Sequence, residues 1–145
     1  HDNLAEKASD LIVETIIHYD ELYKNRIKQD HSLASYSTKI NKEMGWIDFS
    51  KDARSIDLQV RALMGWPGTF AYLDGVNVQI YKISIIQQYN NVEPSKIHKV
   101  DDSGIYVNCK DKCIVIEELQ FPNKKRMSVA DYLRGNEIKL GSVFS

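Results

Sequence analysis

The sequence has few of the residues that cross-link a chain or carry it through a membrane. Its 145 residues include two cysteines and three prolines, and its apolar runs are short, with a single serine even between the isoleucines of residues 83–86. Two cysteines are too few for a disulfide-stapled scaffold, and a membrane-spanning helix needs about 20 apolar residues in a row. An export signal is also lacking, so we expect a cytoplasmic protein in a reducing compartment, without a membrane partner.

The sequence also lacks a large net charge of either sign. Its formal net charge is −1, which excludes a protein whose overall field attracts nucleic acid. The charge is uneven, however, since residues 1–36 hold four Lys/Arg and seven Asp/Glu, whereas residues 37–145 hold fifteen and thirteen. Any binding of nucleic acid must therefore come from a local basic patch.

Too few metal ligands are grouped together to predict a metal site. Cys109 and Cys113 lie four positions apart, and His98 is the histidine nearest to them in sequence. A structural zinc site takes four ligands. The two cysteines are therefore predicted to be small core residues on adjacent strands, and a disulfide between them is disfavoured by a reducing compartment.

A catalytic constellation is also missing from the sequence. The histidines at positions 1, 18, 31 and 98 stand in no serine- or cysteine-hydrolase pattern, and neither a G-x-G-x-x-G motif nor a P-loop occurs. The acidic pair at 101–102 precedes a turn glycine, and the pair at 117–118 alternates across a strand, so neither pair converges on a substrate. We therefore expect no catalytic residue and no activity from this chain alone.

The first 46 residues are predicted to form a helix and a linker. Apolar residues recur at three-to-four spacing over residues 2–27, with Leu4, Leu11, Ile12 and Ile16 on one face. Residues 28–46 show no clean periodicity, which favours a structured linker between domains. The chain starts at His1 and enters directly into the helical pattern, as we expect of a segment of a longer protein.

A second helix and a sharp corner follow the linker. Ser50 is a good N-cap for a helix over residues 51–64, and Ala53, Ile56, Val60 and Leu63 supply its core face. Trp66-Pro67-Gly68 is predicted to lock the corner after this helix, with the indole covering the core.

From residue 69 onward the apolar period changes to two. This period predicts strands over residues 69–73, 76–86, 96–100, 105–109 and 113–119, and a last strand over 140–144. Asp74-Gly75 predicts a hairpin, an ambiguous register predicts a bulge near residues 81–83, and residues 87–95 read as a polar loop. Ser128 caps a predicted short helix. The predicted fold is mainly β with flanking helices, a small OB-like β-barrel, with a β-sandwich as the alternative.

Basic residues cluster at two places in the second part of the chain. Lys39 and Lys42 precede the β region, and Lys124, Lys125 and Arg126 form a triplet in the loop after the strand at 113–119. Such residues bind nucleic-acid backbones by neutralising phosphates. These five residues are the candidate binding residues, although on composition alone the triplet is more typical of a solvated loop.

An ordered series of short blocks resembles the C-terminal domain of methionyl-tRNA formyltransferase. The blocks are Ile47-Asp48-Phe49-Ser50, Trp66-Pro67-Gly68, Glu118-Leu119-Gln120, Lys124-Lys125-Arg126-Met127 and Asp131-Tyr132-Leu133-Arg134-Gly135. Upstream, residues 1–15 resemble the helix that closes the family's catalytic domain, and residues 29–43 its interdomain linker. Phe49 stands where the family usually has Trp, and Met64-Gly65 where Asn-Pro is common.

The resemblance implies an enzyme that transfers a formyl group from 10-formyltetrahydrofolate to methionyl initiator tRNA in translation initiation. The family's catalytic residues and folate-binding segment belong to an N-terminal Rossmann-like domain and do not occur here, so the chain itself is expected to hold no cofactor. The resemblance divides the chain into the last helix of the catalytic domain (1–27), the interdomain linker (28–46) and the OB-like barrel domain (47–145) of a monomer.

The resemblance also implies a role for the basic residues. Lys39 and Lys42 fall on basic positions of the family's linker, and Lys124, Lys125 and Arg126 on its late basic loop, both of which hold the tRNA backbone. Related barrels in sugar N-formyltransferases and formyltetrahydrofolate dehydrogenase need not touch RNA. An accessory barrel that acts as an interdomain scaffold is therefore the alternative.

Overall fold

The computed structural model describes residues 2–87 and 93–145. The chain divides into two compact units, His1–Thr38 and Lys39–Ser145. The division falls inside the segment that the sequence predicts to be a linker, and it places both candidate linker lysines in the second unit. Within the described ranges, none of the helices has the length and apolarity to cross a bilayer.

The first unit is helical and exposed. Helix α1 spans Asp2–Ile17, α2 spans Tyr19–Lys24, and a 3₁₀ turn follows at His31–Leu33. The single helix predicted over residues 2–27 is wrong in extent, because His18 leaves the helical region with φ −107° and ψ 22° and α2 ends at Lys24. None of the described residues of α1 or α2 is buried.

Helix α3 spans Ala53–Ala62, and its cap differs from the predicted one. The Asp52 carboxylate accepts a hydrogen bond from the N–H of Ser55 at 2.8 Å. Ser50 lies instead in a turn in which its N–H donates to Asp48 at 2.9 Å, so the prediction of Ser50 as the N-cap is wrong. A carboxylate is favoured at this end because it also meets the positive pole of the helix dipole.

The second unit is built on one antiparallel sheet. The described strands run in the order β1-β2-β5-β4-β3, and β6 pairs with β5. Their bounds are Thr69–Leu73 for β1, Val76–Ile86 for β2, Ile97–Asp101 for β3, Gly104–Asn108 for β4, Cys113–Gln120 for β5 and Met127–Ser128 for β6. Helix α4 spans Val129–Leu133.

Two local predictions of turn and cap chemistry are confirmed. Asp74 and Gly75 join β1 to β2 with positive φ angles of 48° and 82°, as a tight two-residue hairpin requires. The Ser128 hydroxyl accepts a hydrogen bond from the N–H of Asp131 at 3.0 Å and so caps α4. Most of the predicted polar loop over residues 87–95 lies outside the described residues.

The mainly β class with flanking helices is confirmed, but the described strands form an open sheet, so the OB-like barrel is not confirmed. The last strand predicted over residues 140–144 is reduced to isolated bridges, Leu73 with Phe144 and Lys96 with Val143. The N–H of Tyr72 also donates to the carbonyl of Ser145 at 2.7 Å. Residues 143–145 therefore bond to β1 at one edge of the sheet and to the residue that precedes β3 at the other.

The main core joins α3 to the sheet. Its buried apolar side chains come from α3, β2, β4 and β5 and include Ile56, Ile80, Val107 and Ile116. The rings of Phe49 and Phe144 meet at 5.3 Å between centroids, which ties both ends of the second unit into this core.

Both cysteines are buried, as predicted, but in different clusters. Cys109 belongs to the main core, whereas Cys113 packs with Tyr106 and Val115 in a smaller one. Burial raises the pKa of Cys109 to about 12 and that of Cys113 to about 11. Both thiols are therefore protonated at neutral pH and are poor nucleophiles and poor metal ligands.

Candidate nucleic-acid interface

The loop that carries the basic triplet joins β5 to β6 and is held by its own neighbours. The Gln120 side-chain amide donates to the carbonyl of Lys124 at 2.8 Å, and the N–H of Lys124 donates to the carbonyl of Phe121 at 3.1 Å. Asn123 takes a left-handed φ of 61°, which asparagine tolerates in turns. The Phe121 ring stacks on Tyr132 of α4 at 4.5 Å between centroids. The backbone of this loop is therefore preorganised.

The three cations of the triplet differ in their surroundings. Nε and Nη2 of Arg126 donate to the Glu118 carboxylate at 2.8 and 2.6 Å, and the guanidinium lies 4.6 Å from the centroid of the Tyr81 ring. Lys124 and Lys125 are exposed, and in residues 2–87 and 93–145 neither forms an ion pair. The triplet thus offers two unpaired ammonium groups beside one guanidinium that is fixed and partly neutralised.

Tyr81 connects the arginine to the loop. The bulge predicted near residues 81–83 is confirmed, because the register between β2 and β5 shifts on both sides of Lys82. Beside this bulge, the Tyr81 hydroxyl donates to the side-chain carbonyl of Gln120 at 2.7 Å, and Gln120 in turn holds Lys124. A continuous polar chain therefore runs from Arg126 through Tyr81 and Gln120 to the loop backbone.

Sequence reasoning missed Tyr81, Glu118 and Gln120 as site residues. A signal was present in the alternation of Glu118-Leu119-Gln120, since Leu119 is buried and its two neighbours must point to the opposite face of the sheet. The alternation does not reveal that Tyr81 of β2 lies beside them, because the bulge changes the pairing of β2 with β5.

The second candidate basic segment, which contains Lys39 and Lys42, ends in a turn that is held by hydrogen bonds. Lys39 and Lys42 are exposed and precede the 3₁₀ turn Glu43–Gly45. The Gln59 side chain of α3 donates to the carbonyls of Met44 and Trp46 at 2.7 and 2.8 Å. The two lysines therefore lead directly into a segment that α3 holds in place.

This segment also touches the Trp-Pro-Gly corner and β1. A Cβ built on Gly45 would collide with the carbonyl oxygen of Gly68, so only glycine fits there. Two residues later, the N–H of Ile47 donates to the carbonyl of Phe70 at 2.8 Å. The end of the predicted linker thus packs against the corner that follows α3.

The predicted role of Trp66 in this corner is wrong. Its indole is 59% exposed and does not cover the core. The corner is held by other groups, since the N–H of Gly68 donates to the carbonyl of Leu63 at 3.0 Å and the buried Thr69 hydroxyl donates to the carbonyl of Ile80 at 2.7 Å. These bonds fix the turn without the indole, which is left facing solvent.

The acidic pairs are engaged in ion pairs rather than in acid–base chemistry. Glu117 accepts from Lys82 at 2.8 Å, a bond that holds the pKa of Glu117 below its usual range, and Asp101 pairs with Lys99 at 2.6 Å. Among the described residues, no cluster of three or more His, Cys, Asp or Glu could hold a metal ion. Glu117 and Asp101 are therefore already engaged with neighbouring lysines.

Comparison with known proteins places the second unit in a family. The family described as formyl transferase, C-terminal domain, matches residues 39–137, which is more than half of the chain. The chain belongs to the formyl transferase C-terminal domain family. This match begins at the residue where the second compact unit begins.

Curated relatives extend the similarity over nearly the whole chain. It is 39% identical over 143 residues to methionyl-tRNA formyltransferase of Ruminiclostridium cellulolyticum. The aligned residues make up 97% of this chain and 46% of that protein. It is 38% identical over 143 residues to methionyl-tRNA formyltransferase of Finegoldia magna, which covers 99% and 46%. The resemblance found in the sequence is confirmed, and the chain spans about half the length of the curated relatives it matches.

Solved structures support the fold. HypX from Aquifex aeolicus in complex with tetrahydrofolic acid aligns with a TM-score of 0.55 at 14% identity over 90% of this chain and 26% of that chain. A variant of the same protein aligns with a TM-score of 0.56 at 16% identity over 88% and 24%. At this identity the likeness concerns the fold alone.

Proposed function

We propose that this chain is the tRNA-binding part of a methionyl-tRNA formyltransferase. In this proposal the whole protein transfers a formyl group from 10-formyltetrahydrofolate to methionyl initiator tRNA in translation initiation, in the cytoplasm. The names of the relatives support the reaction, and the tetrahydrofolate in HypX supports a folate co-substrate for the wider family. The chain itself binds tRNA and does not catalyse the transfer.

The preorganised loop after β5 is the observation that carries this proposal. Lys124 and Lys125 are exposed and unpaired among the described residues, on a backbone fixed by Gln120, Phe121 and a positive-φ asparagine. Ordering two flexible cations on an already ordered loop costs less entropy than ordering a mobile loop as well. The loop is therefore suited to bind the phosphates of a folded RNA.

The proposal includes a division of labour along the chain. Residues 1–27 close the Rossmann-like catalytic domain, residues 28–46 link it to the sheet domain, and residues 47–145 form the tRNA-binding domain of a monomer. Lys39 and Lys42 add a second set of phosphate contacts. Their position is limited because the segment after them is hydrogen-bonded to Gln59 of α3.

A second candidate function is an accessory scaffold of a sugar N-formyltransferase or a formyltetrahydrofolate dehydrogenase. The observation that favours it is the ion pair of Arg126 with Glu118, because a neutralised guanidinium attracts phosphate less than a free one. A scaffold domain would bind no tRNA and would associate with other protein surfaces instead.

Salt-dependent binding of initiator tRNA separates the two functions. We expect the 145-residue chain to bind initiator tRNA with an affinity that falls as salt rises, as measured by filter binding from low to physiological salt. The variant Lys124→Ala/Lys125→Ala should weaken binding and reduce the slope of log K against log salt by about one unit for each lysine.

The matched control is Lys110→Ala/Lys112→Ala. These lysines occupy the turn that precedes β5, so the control removes the same charge next to the other end of the same strand. Equal effects of the two double variants would show that only net charge matters and would refute the loop as a site. Absence of tRNA binding by the parent chain at low salt, together with self-association, would favour the scaffold.

A further inference from the structure

The carboxylate of Glu118 holds Arg126 of the basic triplet in an ion pair at the protein surface. Its Oε2 atom accepts hydrogen bonds from Nε and Nη2 of Arg126, at 2.8 and 2.6 Å. The Arg126 side chain is 50% exposed and the Glu118 side chain 31%, so water screens the pair and it contributes little to the stability of the fold. An ion pair that the fold does not require can be exchanged for another one.

Arg126 also borders open space. It lines two neighbouring cavities, of about 260 and 320 Å³, whose linings share Val60, Met64 and Tyr81. The bonds to Glu118 use one N–H of Nε and one of Nη2, whereas a guanidinium carries five N–H donors. A further anion can therefore approach the guanidinium from the cavities while Glu118 is still bound.

The guanidinium is also held by a group other than Glu118. It lies 4.6 Å from the centroid of the Tyr81 ring. The Tyr81 hydroxyl donates to Gln120 at 2.7 Å, and Gln120 donates to the carbonyl of Lys124 at 2.8 Å. An anion that replaces Glu118 therefore meets an arginine and a loop that are already ordered, which lowers the entropic cost of binding.

Glu118 faces a second cation on the neighbouring strand. Lys82 of β2 is its register partner, and Lys82 lines the same cavity as Arg126. The pKa of Lys82 is raised by its bond to Glu117 and by the charges of Glu117 and Glu118. If Arg126 binds another anion, the carboxylate of Glu118 therefore stays near a cation, and the exchange leaves no isolated charge.

We infer that Glu118 is an intramolecular competitor of RNA, which a backbone phosphate replaces at Arg126. The inference rests on the proposed function and names the residue that limits the affinity of the loop. A backbone that binds Lys124 and Lys125 reaches Arg126 next along the chain, and two anions at one guanidinium repel each other. Such a penalty falls on every polyanion that cannot displace the carboxylate, which favours the RNA whose phosphates fit the loop.

Removal of the charge of Glu118 tests the inference in the 145-residue chain. Glu118→Gln keeps the shape of the side chain and frees Arg126, so it should tighten binding of initiator tRNA by about three- to tenfold at low salt. The slope of log K against log salt should steepen by about one unit, because one more phosphate contact forms. Filter binding over a salt series measures both quantities, and thermal unfolding verifies that the variant is folded.

Asp101→Asn is the matched control. Asp101 pairs with Lys99 at 2.6 Å, and their side chains are 34% and 44% exposed, much as Glu118 and Arg126 are. The control pair lies on β3, two strands away from β5 in the sheet, so the control removes the same charge at a distance from the loop. It should leave the salt slope unchanged and alter the affinity by less than about twofold.

A double variant assigns the gain to Arg126. Glu118→Gln/Arg126→Gln removes both partners and should return the affinity to within about twofold of the parent. If it binds as tightly as Glu118→Gln, the gain comes from net charge alone and the inference is wrong. The parent chain offers a second measurement, since the NMR signal of the Arg126 Nε–H should shift when tRNA is added. A signal that stays fixed while the amide of Lys124 shifts would overturn the inference.

The outcomes separate this inference from the proposed function. If Lys124→Ala/Lys125→Ala weakens binding but Glu118→Gln binds no more tightly than Asp101→Asn, the tRNA-binding function stands and Glu118 is not a competitor. If Glu118→Gln weakens binding, Glu118 positions Arg126 for the RNA, and the inference is refuted. If the parent chain binds no tRNA at low salt, the proposed function itself fails, and the inference fails with it.

Discussion

The two units of the chain contain similar apolar residues in opposite environments. In the first unit Leu4 and Ile16 are 73% and 69% exposed, whereas in the second Ile105 and Ile116 are fully buried. The helical residues follow a period of about 3.6, whereas the strand residues lie in continuous apolar runs of β4 and β5. Periodicity therefore predicts which residues share a face, but it does not predict what covers that face.

The exposed helical face has a physical consequence. Burial of apolar surface contributes about 25 cal/mol per Å², and isolated helices shorter than about 12–15 residues are marginal in water. Helix α1 is 16 residues long and α2 is six. Under the proposed function, the catalytic domain would cover this face and supply the stability that the unit lacks by itself.

Truncation of one apolar side chain in each unit gives the largest expected contrast. Phe49→Ala removes a buried ring that packs on Phe144, and we expect it to lower the free energy of unfolding by about 3–5 kcal/mol. Ile16→Ala removes an exposed side chain from α1 and should change it by less than about 0.5 kcal/mol. Urea unfolding followed by circular dichroism measures both.

The same two variants also test whether the apolar face of α1 is uncovered in this chain. A loss of more than about 2 kcal/mol in Ile16→Ala would mean that the helical face is covered within this chain. The two units would then have to be treated as one cooperative body.

Aspartate caps give a second and smaller contrast. Asp52 caps α3, whose residues Ala53, Ile56 and Val60 are buried, and Asp52→Ala should cost about 1 kcal/mol of unfolding free energy. Asp30 makes a similar bond to the N–H of Ser32 in the first unit, where the turn buries nothing, so Asp30→Ala should leave the main transition unchanged. Thermal unfolding measures the difference.

The corrected cap supplies its own control. Ser50→Ala should behave like the parent, because the N–H of Ser50 donates to Asp48 and its hydroxyl is not the cap of α3. If Ser50→Ala instead costs as much as Asp52→Ala, the assignment of Asp52 as the cap is wrong.

Much of the fold could be predicted from the sequence because local rules decide it. Asp74-Gly75 requires two positive φ angles and so specifies the hairpin, and the period-two segments specify the strands. The predicted barrel is not confirmed. Closure of a barrel depends on how residues 141–145 meet both edges of the sheet. Contacts between distant segments leave no signal in local periodicity.

The candidate site shows the same limit. The basic residues were visible in the sequence, but their differences were not, since the ion pair of Arg126 with Glu118 spans eight positions and the Tyr81–Gln120 bond spans thirty-nine. Trp66 was assigned to the core on its residue type. In the structure, backbone and threonine bonds secure the corner, and the indole is left exposed.

The smallest expected difference between the two units is in how their histidines make the free energy of unfolding depend on pH. His98 lies in the second unit near Lys99, Asp101, Tyr106 and Cys113, with Nε2 at 3.9 Å from the Cys113 sulfur. Burial, helped by the charge of Lys99, lowers the pKa of His98 from its usual value of about 6.5. The unfolded chain therefore binds this proton more readily than the folded chain.

The sign of the effect follows from this difference in proton binding. The contribution of His98 to stability is complete above about pH 6.5 and is lost as the pH falls through the lower pKa of the folded state. Between pH 7 and pH 5, the free energy of unfolding should decrease in the parent and decrease less in His98→Gln. His18→Gln, at an exposed position in the first unit, should retain the parent's slope. The pKa values of Asp52, Asp101 and Glu117 are lowered, so these carboxylates titrate below this window. A slope that is unchanged in His98→Gln would show that water reaches this histidine as freely as it reaches the helical unit, and the smaller cluster around Tyr106 would then be open rather than packed.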